Sequence, residues 1–251
     1  MRNNLTYRNP AFNSDMLGGV AAVSGEVMTV KGTLQKLAIS VLLMFIGAAY
    51  VWEKLAAGFT DAVNMITGIS IFAVLIIGFV IIFKRNSEII KYLVPAYALG
   101  EGFLIGSLSY MVEQQIPGIV TQAIAGTMLC VLVMLGLYYY GIIKVTEKFR
   151  AIMFTAITTI FGIYMIELIM SLFHYHVPFL YSSGPAGILF SVVVIGFLSF
   201  NLLTDFDFIE KLSMSFAPKH LEWYGAFGVL VSVIWLYIEI LKLLAKLNSR
   251  R

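Results

Sequence analysis

Gly184-Pro185-Ala186-Gly187-Ile188-Leu189-Phe190-Ser191-Val192-Val193-Val194-Ile195-Gly196-Phe197-Leu198-Ser199-Phe200-Asn201-Leu202-Leu203 runs without a single charge. It ends abruptly in Thr204-Asp205-Phe206-Asp207-Phe208-Ile209-Glu210. About 20 apolar residues are what a helix needs to cross the hydrocarbon core of a bilayer. The run is continuous rather than alternating, so it reads as a spanning helix and not as a barrel strand. The acids at its end are the anomaly, because an ionised carboxylate at membrane depth costs about 2.5–3.5 kcal/mol on insertion scales.

Six more runs of the same kind surround it: Leu34–Trp52, Ala62–Phe83, Ile89–Val112, Gly118–Tyr140, Ala151–Phe173 and Tyr224–Leu247. Of the 251 residues, 60% are hydrophobic and 12% charged, and the mean hydropathy is +0.90. A soluble domain carries roughly 25% charge. The expected fold is therefore an all-α polytopic membrane protein with seven transmembrane helices in residues 34–251, preceded by a polar tail in residues 1–33. Short connections predict antiparallel neighbours. No cleavable leader is visible before the first run, which is expected to direct insertion itself. One cysteine, Cys130, excludes an intramolecular disulfide and reads as a small buried hydrophobe.

Lysine and arginine set the orientation. With the N-terminus inside, 12 of the 17 basic residues fall on the inner side, among them Lys84, Arg85, Lys144, Lys148 and Arg150. This predicts a cytoplasmic N-terminus in a plasma (inner) membrane. The terminal cluster Lys242, Lys246, Arg250 and Arg251 runs against the pattern. Either seven full spans put that tail outside, or the last segment stops short and the tail stays inside.

The acids in or beside the runs are the candidate site: Glu101, Glu167, Asp205, Asp207, Glu222 and Glu239. Intramembrane carboxylates face the bundle interior or water, and they mark ion pathways or proton relays. Before the final run no lysine or arginine lies mid-span, so these acids must share protons, bind a cation or reach water. Two close carboxylates make a proton-sensitive pair and a hard-oxygen site that attracts Ca²⁺. Asp205 and Asp207, two residues apart on a helix, cannot point the same way. Asp205 is expected to face inward, and Asp207 and Glu210 to be mainly solvated, although Asp207 and Glu222 join Glu101 as possible interior acids. Gly102 and Gly106, beside Glu101, form a small-xxx-small face for close helix packing. Glu167 lies near an outer end and can snorkel. His174 and His176 form a His-x-His pair without further metal ligands nearby.

The span region resembles the Bax inhibitor-1 family, also called the transmembrane Bax inhibitor motif family, and its bacterial members in particular. The resemblance rests on Leu203-Thr204-Asp205-Phe206-Asp207-Phe208-Ile209 at the end of the sixth run. It rests also on Leu236-Tyr237-Ile238-Glu239-Ile240-Leu241-Lys242 in the last run, and on the Gly-rich third run. It implies a central last helix inside a ring of six, and a pH-sensitive Ca²⁺ leak. It further implies that Asp205 and Glu239 form the gating pair, with Ca²⁺ near them as the transported ion and no cofactor. The chain departs from the pattern in having Glu239 for an aspartate, Thr204 for a tyrosine, and no acid in the second run. Straight helices turning at Ala217-Pro218 would leave Asp205 and Glu239 about 15 Å apart in depth. A break at Gly225 or Gly228 is therefore expected, with Glu222-Trp223-Tyr224 lying at the interface.

Two other functions compete with the leak. One is a membrane regulator that binds a membrane protease or stress-response partner. The other is an intramembrane aspartyl protease. That enzyme class uses a Gly-x-Gly-Asp motif, and Leu236-Tyr237-Ile238 precedes Glu239 here, so the reading is not an enzyme. The expected partners are the lipid bilayer, Ca²⁺ or another cation and, under the regulator reading, a membrane protein. Nothing points to nucleic acid.

Overall fold

The computed structural model describes residues 26–173, 175, 177, 180 and 182–249 of the chain. Seven long helices follow one another: α1 (Val30–Ala56), α2 (Thr60–Phe83), α3 (Ile90–Gln115), α4 (Ile119–Tyr139), α5 (Glu147–Leu172), α6 (Pro185–Met214) and α7 (Leu221–Asn248). Six are long and apolar enough to cross a membrane. The seventh, α3, has 26 residues and is made more polar by Glu101, Ser107 and Ser109. The expected class, an all-helical polytopic membrane protein, holds.

Local chemistry fixes the helix ends. The Thr29 hydroxyl accepts from the Gly32 amide at 2.9 Å and starts α1 at Val30, inside the stretch expected to be tail. Thr146 accepts from Phe149 N at 3.2 Å and starts α5. Pro185 opens α6, where its missing N–H costs nothing. Between α3 and α4 the chain turns through Gly118 at φ +83°, a left-handed conformation that favours glycine. The Glu113 carboxylate then accepts from Gly118 N at 2.6 Å and Val120 N at 3.0 Å, capping α4.

The last helix is the axis of the bundle. Half of its most apolar stretch is buried (50%), against 17% in α2, α4 and α5. It packs on α6, α1, α4 and α3. Two apolar clusters flank it. One joins it to α2, α3 and α4 through residues such as Ile90, Val94, Ile119 and Leu230. The other joins it to α5 and α6 through Ile160, Val194, Leu198, Leu202 and Leu236. The outward side chains Phe72, Ile76, Phe79 and Phe83 of α2 are exposed, as expected of a lipid-facing surface.

The tightest crossing is α1 on α3. A Cβ on Gly102 would lie 2.2 Å from the Met44 carbonyl oxygen, and one on Gly106 would lie 2.7 Å from Ala48 Cα. The small-residue face read from the sequence is therefore a backbone contact.

Ahead of α1, residues 26–29 form a strap across the α6–α7 turn. Val27 bridges Pro218 in antiparallel fashion. Met28 N donates to Ala217 O at 2.8 Å, and Lys219 N donates to Glu26 O at 3.0 Å. Met28 is 1% exposed, and Lys219 forms an ion pair with Glu26. The hydrogen bond that the Lys219 ammonium donates to the Glu26 carboxylate, with the lysine charge behind it, holds the Glu26 carboxyl below its ordinary value. A depressed acid contributes stability above its unfolded pKa and loses it as pH falls through the folded one. Acidification below about pH 4 should therefore lower the protection of the Met28 amide against hydrogen exchange, relative to its intrinsic rate at the same pH. In Glu26→Gln that protection should be lower near neutrality and less sensitive to acid. An acid response unchanged in that variant would mean that the pair does not hold the strap.

Candidate functional site

Acids and their partners gather along the seam where α5, α6 and α7 meet, in two groups. Near the strap end, a cavity of about 360 Å³ is lined by Arg150, Asn201, Thr204, Asp205, Asp207 and Lys211, with Met153, Phe154 and Phe208. Asp205 Oδ2 accepts from Ser232 Oγ of α7 at 2.6 Å and from Asn201 Nδ2 at 3.5 Å. Asn201 also donates to Ser232 at 3.1 Å. Among the described residues no lysine or arginine pairs with Asp205.

Asp207 lines the same cavity but is differently held. Arg150 Nη2 lies 2.6 Å and Lys211 Nζ 3.2 Å from its Oδ2, and the residue is 9% exposed. The expectation that Asp207 and Glu210 are mainly solvated is thus corrected. Arg150 reaches Asp207 from α5, and the Tyr138 hydroxyl of α4 donates to Glu210. The cavity lies between helices, so side chains leaning from both flanks of α6 reach it although the two aspartates are two residues apart.

The second group lies near the other end. Glu239 is 0% exposed. Its Oε2 accepts from Tyr164 OH of α5 at 2.6 Å and its Oε1 from Ser191 Oγ of α6 at 3.0 Å. Lys242 Nζ stands 3.6 Å from Oε2 and 4.4 Å over the Tyr164 ring. Lys246 Nζ donates to Ser191 Oγ at 2.8 Å and to the Gly187 carbonyl at 3.0 Å.

The expected pairing of Asp205 with Glu239 is not formed. The partner of Asp205 on α7 is Ser232, seven residues before Glu239, so the two positions differ by about 10 Å along the axis. The partner of Glu239 on α6 is Ser191, fourteen residues before Asp205, or about 21 Å. The cause is that α7 runs unbroken from Leu221 to Asn248. Gly225 is no breaker. A Cβ there would lie 3.1 Å from both Ile209 and Thr33, so the glycine admits neighbouring helices. Glu222-Trp223-Tyr224 is correspondingly the first turn of α7 rather than a separate interfacial piece.

Between the two groups the seam is apolar. Leu198 lies midway between Ser191 and Asp205 on α6, Leu236 lies between Ser232 and Glu239 on α7, and Ile160 precedes Tyr164 on α5. With Val194 they belong to one buried cluster, and Val194, Leu198 and Leu236 are no more than 1% exposed.

The remaining acids lie elsewhere. Glu101 accepts from Tyr97 OH of its own helix at 2.6 Å. Glu167, expected to snorkel, is 3% exposed and accepts from Val177 N at 2.7 Å. Glu222 is 1% exposed and turned toward α1 instead of lying at the interface: its Oε1 accepts from Thr29 N and Thr29 Oγ1, both at 3.1 Å. Cys130 is partly buried, with Sγ 3.0 Å from Ser199 Oγ. His174 and His176 lie outside the described residues, and among those described no cluster of His, Cys, Asp or Glu is arranged to hold a metal.

Sequence reading missed Ser191, Ser232, Asn201 and Tyr164 as partners. They are neutral residues, and only a three-helix geometry picks them out. Lys246 had a signal in the sequence, as a basic residue inside the last run, but it read only as part of a basic tail.

No curated protein and no solved structure matches the chain. A family model described as Bax inhibitor 1 like matches residues 9–249. That span takes in all seven helices, both acidic groups and nearly the whole sequence, so the chain belongs to the Bax inhibitor 1 like family of membrane proteins.

Proposed function

We propose that the chain is a pH-sensitive leak pathway for cations, with Ca²⁺ as cargo, and neither an enzyme nor a passive scaffold. The observation that supports this reading most directly is Asp205. It is one of six polar or charged residues lining a cavity, is hydrogen-bonded among the described residues by a hydroxyl and an amide, and stands apart from the Arg150–Asp207–Lys211 group in the same cavity. A carboxylate so placed attracts a cation when ionised and releases it when protonated. The cavity acts as a vestibule. The Ile160–Val194–Leu198–Leu236 layer is the closed gate, since a hydrophobic constriction blocks ions by excluding water. Glu239 is the acid beyond the gate. The two carboxylates are then successive stations and not a contacting pair.

Purified protein in Ca²⁺-loaded liposomes provides the test. Efflux should vary with pH, and Asp205→Asn should flatten that dependence while the folded protein survives. The neutral side chain keeps a hydrogen-bonding partner for Ser232, so a structural loss is not expected. Efflux absent at every pH, or a pH profile unchanged in Asp205→Asn, overturns the reading.

A further inference from the structure

Lys246 is two residues from the end of α7, where a lysine ordinarily extends its stem and places its ammonium in water or among headgroups. It does the opposite. It is 6% exposed, while its neighbour Leu247 is 43% exposed. Its ammonium turns back toward α6 and donates to the Gly187 carbonyl and the Ser191 hydroxyl. Ser191 in turn donates to Glu239 Oε1. A buried ammonium is costly unless it is hydrogen-bonded and paired. Here a backbone carbonyl and a hydroxyl contact it directly, and a carboxylate lies one hydrogen bond away. Carbonyl, hydroxyl and carboxylate oxygens are also the ligand types that hard metal cations take, and pores use the same set to replace a cation's hydration shell.

We propose that Gly187, Ser191 and Glu239 form a cation station beyond the gate, and that the Lys246 ammonium occupies it as a tethered cation that competes with the transported ion. The charges around the station support blockade. With Lys242 beside Glu239, two ammonium groups face one carboxylate, and the excess positive charge repels an arriving cation. The other elements packed against the station contribute the Tyr164 hydroxyl from α5 and no further charged contact to Glu239 or Lys246 among the described residues. Entry of an ion then requires Lys246 to swing out, which its position close to the helix end allows. This rests on the leak reading for its physiological meaning, but cation binding at the station can be measured without any flux.

The variant is Lys246→Met, which keeps the length of the stem and removes the ammonium. Detergent-solubilised protein should bind radioactive Ca²⁺ at least about tenfold more tightly than wild type, equivalent to about 1.4 kcal/mol. Lys246→Arg should stay like wild type, and Lys246→Met/Glu239→Gln should lose the gain. In liposomes at fixed pH, Lys246→Met should leak faster. Wild-type protein offers a check that needs no substitution: rising Ca²⁺ should displace the ammonium and increase reductive methylation of Lys246. Ca²⁺ binding by Lys246→Met no tighter than wild type, or Lys246 methylation indifferent to Ca²⁺, overturns the proposal. If Asp205→Asn alters the pH profile while both of those results are negative, the leak reading stands and only the tethered cation falls. If no variant leaks but Lys246→Met gains Ca²⁺, the station stands and the leak reading falls.

Discussion

Gly102→Val should leave little or no folded protein. A Cβ at this position would stand 2.2 Å from the Met44 carbonyl oxygen and 3.1 Å from Ala48 N. Both are main-chain atoms of α1, so no side-chain rotation relieves the collision, and α1 must move away from α3 as a whole. Overpacking a close contact costs about 1–3 kcal/mol and sometimes more. A rigid backbone collision with a branched side chain belongs at about 3 kcal/mol or beyond. Separating the two helices would also open the contact of Gly47 with Leu99 O and of Gly106 with Ala48. Thermal unfolding in detergent, together with the fraction running as a single species on size exclusion, measures the effect. Gly68→Ala and Gly196→Ala are the controls. A Cβ at either site meets nothing within 4 Å, so each should be neutral or stabilising by up to about 1 kcal/mol through helix propensity. If Gly102→Val unfolds with these controls, the close crossing does not hold the bundle together.

The second large effect is expected at Glu222. Its carboxylate caps α1 from the far end of the sequence by accepting from the amide and hydroxyl of Thr29. Gly32 is what lets it in, since a Cβ there would overlap the carboxylate. Glu222→Ala removes the acceptor and leaves the Thr29 amide without it. A lost cap costs about 0.5–2 kcal/mol, and a buried donor left unsatisfied costs about 1–3 kcal/mol. A fall of about 2–4 kcal/mol in unfolding free energy is expected. Glu222→Gln should fall between Ala and wild type, because an amide oxygen still accepts but without charge assistance. Glu222→Ala unfolding with wild type would show that α1 does not depend on this carboxylate.

The parts of this molecule legible in the sequence were those set by local composition. Uninterrupted apolar runs gave six of the seven helices within a few residues, because in a bilayer each helix must satisfy its own backbone; the sixth run stopped at Leu203, whereas α6 carries the acids on to Met214. Gly102 and Gly106 showed their packing face because four residues is one helical turn. Asp205 was legible as an inward acid because a charge in a span needs a reason. What failed were relations between helices. Asp207 read as solvated because Arg150, its partner, is 57 residues away. The pairing of Asp205 with Glu239 and the break at Gly225 stood or fell together. Helix periodicity could not tell a glycine that ends a helix from one that admits Ile209 and Thr33. Glu222 read as interior or interfacial, yet its role as a cap for a helix 193 residues earlier has no sequence signature.

The strap that ties Val27 to Pro218 also constrains the order of assembly. Most partnerships of α1 with α3 are available once about half the chain has been inserted. The main-chain bonds from residues 26–28 to Ala217 and Lys219, and the Glu222 cap, need nearly the whole polypeptide. Contacts of such sequence separation form late, because the intervening chain must first be ordered. During synthesis α1 therefore sits in the membrane with only its local Thr29 cap, without the Glu222 carboxylate and with Met28 unsheltered. The docking of residues 26–29 closes them onto the α6–α7 turn, and it can happen only after the translocation machinery has released α6 and α7 has begun to emerge.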